Sequence, residues 1–447
     1  MAFPFQFKAA RKVARVLSYR TPHVPAIFAL TAFISCAAVA GDAPLTLTRA
    51  QQLALAHSRQ LPAQDMAVAA SRDMAVAASQ LPDPILRFGL DNLPVNGTDR
   101  FSATADFMTM RRVGIEQELT RPDKRRLRGE RYEREADRSQ AQKAIVAANI
   151  ERDTALAWLD RYYAEQAAIL VAEQAAQGRL EVEAAVGAYR GGRGTQADIL
   201  AARSALAAID DRASEASRRV RNAQTMLARW TGASPDAPLD GKPSVDTIRL
   251  DPASLDNALS HHPEIDVWNK QVAIAEVDAR LAQASKQPDW SVEIAFQQRG
   301  PAYSNMVSIG VSLPLQWDQK HRQDRELSSK LATVEQSKAE RDEMLRQHVA
   351  ETRALIEEWQ NDRERSLRYK RELIPLAAQR IDAVLAAYRG GKAGIVDLLN
   401  ARRGEIDTRI QALQLQADTA RLWAQLNFLS PSHDEGFVAP QISKDSQ

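Results

Sequence analysis

Four short segments of the chain alternate apolar and polar residues with a period of two. In the first, Leu86, Phe88 and Leu90 alternate with Arg87, Gly89 and Asp91; in the second, Val113, Ile115 and Leu119 alternate with Arg112, Gly114, Glu116 and Glu118. Trp290, Val292, Ile294 and Phe296 alternate with Ser291, Glu293, Ala295 and Gln297, and Val307, Ile309, Val311 and Leu313 with Ser308, Gly310 and Ser312. The pattern predicts four strands in two pairs, each strand with one apolar and one polar face.

Elsewhere the apolar spacing is helical. A helix is predicted from about Thr48 to Gln80, carrying an eight-residue tandem repeat (Asp65 to Arg72, Asp73 to Gln80) and stopped by Leu81-Pro82-Asp83-Pro84. No proline interrupts Pro122 to Pro235, and Ile145, Ala148, Ala155, Leu159, Tyr162 and Ile169 recur at helical spacings among charged residues. A helix from about Lys124 to Tyr189 would be roughly 100 Å long, several times the width of a small domain. A second, from about Gln319 to Tyr388, is expected to bend at Pro375. Both run into Tyr-Arg-Gly-Gly and return, from about Thr195 to Trp230 and Ile395 to Leu429.

These elements repeat at an offset of about 200 residues. Ala188-Tyr189-Arg190-Gly191-Gly192 recurs as Ala387-Tyr388-Arg389-Gly390-Gly391, and Asp198-Ile199-Leu200 as Asp397-Leu398-Leu399. Ala54-Leu55-Ala56-His57 pairs with Ala258-Leu259-Ser260-His261, Pro82-Asp83 with Pro288-Asp289, and Gly114-Ile115 with Gly310-Val311. The expected organisation is a leader (1–40), a first repeat (41–250) ending in the Pro/Gly/Ser-rich linker 231–250, a second repeat (251–429) and a loose tail (430–447).

The leader reads as an export signal. Lys8, Arg11, Lys12, Arg15 and Arg20 precede the apolar stretch Pro25 to Val39, and Ala38-Val39-Ala40 supplies the small-x-small cleavage pattern. Lipidation at Cys36 is the competing processing route; Phe33 disfavours it. Removing the leader takes the charge count from 59 cations against 57 anions to 54 against 57, so no basic excess remains to attract nucleic acid. Cys36 leaves with it, and with it any disulfide or thiol chemistry. The composition, 45% hydrophobic and 26% charged, excludes a disordered chain, and no stretch after the leader is apolar enough for a membrane-spanning helix.

A two-faced strand can cover a soluble core or line a membrane barrel with lipid outside and water inside. Four such strands beside an export signal, with no other element to bury their apolar faces, favour the barrel. Four strands cannot close one, and an open edge in lipid leaves backbone groups unsatisfied at several kcal/mol each. Two copies give eight strands, whose interior side chains fill, and three give twelve, which begin to leave a lumen. The expected fold is therefore mainly α with a small membrane β-barrel: a trimeric, twelve-stranded barrel on a long α-helical tunnel, with an internal twofold repeat.

The duplicated plan, Asp83-Pro84, Asn92-Leu93-Pro94 and the paired Tyr-Arg-Gly-Gly turns resemble the outer-membrane efflux (TolC-like) family over residues 45–429. Asp106-Phe107-Met108-Thr109-Met110-Arg111-Arg112, leading into Gly114 to Glu118, is most similar to that family's heavy-metal cation branch, the cobalt–zinc–cadmium and copper–silver exporters. The resemblance implies a homotrimer in the outer membrane of a Gram-negative bacterium, in contact with its lipid. It further implies docking to a periplasmic membrane-fusion adaptor and an inner-membrane RND-type pump, with the two Gly-Gly turns at the periplasmic tip where adaptor hairpins bind.

The candidate tip residues are Tyr189, Arg190, Gly191, Gly192, Asp198, Tyr388, Arg389, Gly390, Gly391 and Asp397. The glycines are expected to end helices in the left-handed conformation, and Asp198 and Asp397 to lie in the first turn of a helix, where a carboxylate suits the dipole. Capping alone would explain both acids; with Arg190 and Arg389 they are also candidates for contacts that hold the tip closed or docked. Arg87, Arg112, Glu116, Glu118 and Glu293 fall on the lumen face, where mixed signs argue against a sharp charge filter. Lys124, Arg125, Arg126, Arg128 and Arg131 suggest a solvated or inter-helix face, or contact with anionic headgroups.

Met108 and Met110 are better explained by packing than as copper ligands, and His261-His262, beside Pro263 and Glu264, lack the repeated spacing of a metal site. No protease, phosphate-loop or nucleophile motif occurs, so neither an enzyme nor a resident cofactor or metal is expected. The leading function is passive conduction of heavy-metal cations. Export of drugs, solvents or, by type I secretion, proteins keeps the fold and changes the cargo; a soluble periplasmic coiled-coil adaptor and a periplasmic hydrolase are the other classes considered.

Overall fold

The computed structural model describes residues 44–431, so the expected leader with Cys36, and the tail from residue 432, lie outside the described residues. The order is α1 (Leu47–His57), α2 (Gln60–Ala78), β1 (Ile85–Asp91), β2 (Met110–Leu119), α3 (Pro122–Arg190) and α4 (Gln196–Thr231). It continues with α5 (Leu255–Ser260), α6 (Pro263–Ala284), β3 (Trp290–Gln298), β4 (Met306–Ser312), α7 (Gln323–Arg368), α8 (Ile374–Arg389) and α9 (Ile395–Asn427). Residues 255–427 thus follow the element order of residues 47–231. Among the described residues, no helix is long and apolar enough to cross a membrane.

The helix expected over Thr48–Gln80 is two helices. Ser58 leaves the helical region (φ −59°, ψ 134°) and its hydroxyl accepts the Gln60 N–H at 3.1 Å, starting α2 afresh. The corresponding break between α5 and α6 falls at His261-His262, where Pro263 opens the new helix. Within α2 the tandem repeat does not repeat its environment: Val68 is buried at 6% exposure and Val76 lies out at 63%. Eight residues advance a helix by two turns and about 80° more, so identical residues cannot share a face.

Proline at the first turn opens α3, which runs unbroken for 69 residues, about 100 Å of rod. Its counterpart is interrupted as expected near Pro375, but by a π turn over Tyr369–Leu373. Proline has no N–H to give the preceding turn, and a wider turn absorbs the mismatch. Beneath the sheet α3 packs on α2 and α6, and toward the tip on α4 and α9. Charges tie these rods: Arg131 meets Asp278 at 2.8 Å, Arg212 meets Asp407 at 3.0 Å and Arg421 meets Asp160 at 2.8 Å.

The apolar core sits at a waist near the middle of the rods. Trp158, Leu159, Ala155, Leu227, Ala420 and Phe428 pack around Leu45, and Trp359, Ile356 and Leu426 around Leu255 and Leu259. The chain segments entering each half wrap this core, and aromatic N–H groups fasten them. Trp158 Nε1 donates to Leu45 O (2.8 Å), Trp423 Nε1 to Thr247 O (2.8 Å) and Trp359 Nε1 to Val245 O (3.3 Å). Arg161 Nη2, nearly buried, donates to Ala237 O at 2.7 Å. Each of these four donors therefore has a partner, where a buried orphan would cost about 1–3 kcal/mol.

Candidate functional site

The four strands form one antiparallel sheet in the order β1-β2-β3-β4, so the two hairpins join through β2 and β3 while β1 and β4 are edges. Registers such as Arg87↔Gly114↔Ala295↔Ser308 place the polar positions of all four strands on one face. The opposite face carries Leu86, Phe88, Val113, Ile115, Ile294, Phe296, Val307, Ile309 and Val311, every one exposed, with Phe88 and Ile309 at 73%. A bare apolar face of this extent in water marks a surface made for another apolar phase.

The polar face is finely spaced. A Cβ on Gly114 would lie 3.0 Å from the Ala295 Cβ and 3.1 Å from Glu293 Oε1, so any larger residue here would crowd the neighbouring strand. Glu116 and Glu293 stand directly opposite one another, a repulsive pairing. Arg87 pairs with Glu116 and Arg112 with Glu293, while Asp91 lies 4.0 Å from Arg112. The five expected lumen residues thus share one face. Two arginines face four acids there: Asp91, Glu116, Glu293 and Glu118, the last accepting the Thr120 hydroxyl.

The strands are socketed onto the helices by Lys124, which is buried with its Nζ 2.8 Å from Asp289 Oδ2. Burial opposes ionisation of Asp289, but the Lys124 hydrogen bond, the Arg121 N–H and the charges of Lys124 and Arg128 outweigh it and hold the carboxyl below its usual 3.8. In the other hairpin Gln117 Nε2 donates to Pro82 O at 2.8 Å. Of the basic run, Lys124 and Arg131 therefore make inter-helix and helix–strand contacts.

At the far end, the two turns are built alike. Gly191 N–H bonds Gly187 O, Gly192 N–H bonds Tyr189 O and Arg193 N–H bonds Ala188 O, all at 2.9–3.0 Å; Gly390, Gly391 and Lys392 repeat this on Ala386, Tyr388 and Ala387. Only the second glycine of each pair is left-handed, Gly192 at φ 71° and Gly391 at φ 73°. Gly191 (φ −83°) and Gly390 (φ −79°) are not, which corrects the expectation for all four. A Schellman closure needs one left-handed residue, at the position just past the cap.

Asp198 and Asp397 do sit in the first turn of α4 and α9. Asp198 accepts the Thr195 N–H at 2.8 Å while Thr195 Oγ1 accepts the Asp198 N–H at 3.2 Å, a reciprocal capping box. At the second tip Gly394 replaces threonine, and only the Gly394 N–H to Asp397 bond, 3.0 Å, remains. Among the described residues none of Arg190, Arg389, Asp198 and Asp397 joins an ion pair within the chain. Tyr189 is exposed and Tyr388 half-buried. Behind the tips Arg402 lies 2.6 Å from Glu181, whose carboxyl is pushed up by burial and partly pulled back by that arginine.

Comparison with known proteins follows this architecture. Residues 254–430 match the family described as outer membrane efflux protein. No curated protein matches the chain by sequence. Among solved structures, CusC, studied for the conformational changes accompanying folding and transmembrane channel formation, superposes with a TM-score of 0.73 at 15% identity, covering 86% of this chain and 92% of that one. The outer-membrane channel OprN gives 0.71 at 16% identity over 86% and 90%. The outer membrane protein VceC from Vibrio cholerae gives 0.68 at 18% identity over 86% and 95%. The fold of the described chain is that of these outer-membrane channels.

Proposed function

We propose that this protein is the outer-membrane component of a tripartite efflux system, passively conducting heavy-metal cations from an inner-membrane RND-type pump and its periplasmic adaptor to the outside. The observation that carries the channel reading is the open sheet: an apolar face largely exposed, two unpaired edges, and a polar opposite face, all at one end of a bundle of long rods. Lipid against the apolar face and neighbouring copies along the edges satisfy every group left bare. Three copies supply twelve strands and leave a lumen lined by Arg87, Arg112, Glu116, Glu118 and Glu293.

The cation reading rests on the acid surplus of that face. Four acids against two arginines leave each protomer two negative charges, repeated three times around the pore, which favours cations in passage. At the tips, the side chains of Tyr189, Arg190, Tyr388 and Arg389 beside the matched Gly-Gly turns make no hydrogen bond or ion pair within the chain among the described residues; they are the surface offered to the adaptor. Asp198 and Asp397 shape that surface by holding the returning helices.

In a deletion strain, tolerance to Zn, Co, Cd, Cu and Ag should fall and be restored by the intact gene, while drug tolerance remains unchanged throughout. Loss of drug tolerance alone would assign organic cargo and refute the cation reading. The pair Asp198→Arg with Asp397→Arg tests the tip: unchanged trimer abundance and unchanged tolerance would remove these acids from the docking surface.

A further inference from the structure

One cluster at the waist has no part in conduction. His262 opens α6, and its Nε2 lies 2.7 Å from Leu429 O, so the ring carries its proton on Nε2 and turns the Nδ1 lone pair inward. Nδ1 accepts only the Glu264 N–H, at a long 3.2 Å. His348, projecting from α7, packs against it with ring centroids 4.4 Å apart and ring planes tilted by 45°. The His348 Nδ1 is 3.7 Å from Glu264 Oε2, too far for a hydrogen bond, and its buried Nε2 has no partner. One donor atom from each of His262, Glu264 and His348 lies within 4.8 Å of the other two.

We propose that His262, Glu264 and His348 bind a divalent transition cation of the zinc class. Two imidazole nitrogens and one carboxylate oxygen, with no thiolate, are the donor set of zinc and its neighbours; calcium and magnesium take oxygen-rich shells instead. The His262 N–H to Leu429 O bond is the outer-shell contact that ligating histidines make, fixing the ring and its tautomer. Bond lengths near 2.1 Å require donors roughly 3.4 Å apart, so donors now within 4.8 Å must close by up to about 1.4 Å, and His262 Nδ1 must exchange its long bond from the Glu264 N–H for the ion. Glu264 can supply its own part of this closure, because its side chain is 44% exposed while both histidines are buried.

Such an ion would pin the start of α6, the middle of α7 and the end of α9 to one point. It is a site in the waist, separate from the pore, and stands whatever the cargo. Full-length protein, purified in detergent with a tag that contains no histidine and stripped with a chelator, should be titrated with ZnCl2 by calorimetry and checked by elemental analysis. One Zn2+ per protomer is expected, with an unfolding midpoint that climbs with zinc concentration. Glu264→Gln, which leaves the backbone cap intact, and His348→Gln should each weaken binding about tenfold or more, while His261→Gln leaves it unchanged. Millimolar CaCl2 should not compete.

Absence of stoichiometric zinc, or equal affinity in the Glu264→Gln and His348→Gln proteins, overturns the site. Either result leaves the channel reading intact, since that reading fails on membrane association instead.

Discussion

At the waist Trp158 is 1% exposed, packed among leucines and alanines, with its N–H satisfied by Leu45 O; at the sheet Phe88 and Ile309 are 73% exposed and touch little. The same kind of residue is hidden in one region and displayed in the other. The waist is a core of ordinary kind, complete within one chain. The sheet is a core turned outward, which on the proposed reading lipid and neighbouring copies complete. The contrast predicts that equal truncations have unequal effects. Trp158→Ala should cost about 3–5 kcal/mol in denaturant unfolding, whereas Phe88→Ala, which opens no cavity in the chain, should cost far less.

Polarity inverts the contrast. Ile309→Arg, harmless on a water-facing strand, should cost about 2–4 kcal/mol if the apolar face meets the bilayer interior, read as loss of protein from the outer-membrane fraction. Arg112→Leu, on the opposite face, should leave membrane association intact but strand Glu293, so the two faces can be told apart by fractionation alone.

The joint between the regions should respond to acid. The Asp289 carboxyl is held below its usual 3.8, so its contribution is fully present above about pH 4 and is lost as pH falls through the lowered value. Asp289→Asn should flatten the fall in thermal stability below pH 4, leaving the neutral-pH midpoint the lower of the two. The smallest effect belongs to the tips. Thr195→Ala removes half of a capping box and should destabilise α4 by about 1 kcal/mol, while Gly394→Ser should strengthen the weaker tip by a few tenths, both read by hydrogen exchange in the first turn.

The sheet was legible in the sequence because period-two alternation is a local signal, and the register then placed Arg87, Arg112, Glu116, Glu118 and Glu293 on one face as the pattern required. The tips were legible for the same reason: Gly-Gly followed by aspartate is self-contained. What escaped was held by distant partners. Nothing near Trp158 or Arg161 announces that their hydrogen bonds go to Leu45 and Ala237. His262 looked isolated because His348 reaches it from another helix, and Lys124 looked surface-like because Asp289 lies across the sheet's base. The break at Ser58 was hidden by the strength of the flanking helical pattern, although Pro263 at the matching point of the second half was a usable signal.

The central claim is that β1 of one copy pairs with β4 of the next. Within one chain these edges are three strand spacings apart, about 14 Å, beyond the reach of a disulfide. With Cys36 replaced by serine, Gly89→Cys and Gly310→Cys can be introduced together, both on the polar face and both with room for a side chain. Mild oxidation in outer membranes should give a ladder of linked chains ending at three, reversed by reductant. A protein that stays a single, unlinked chain, or that fractionates as a water-soluble monomer, would contradict the account.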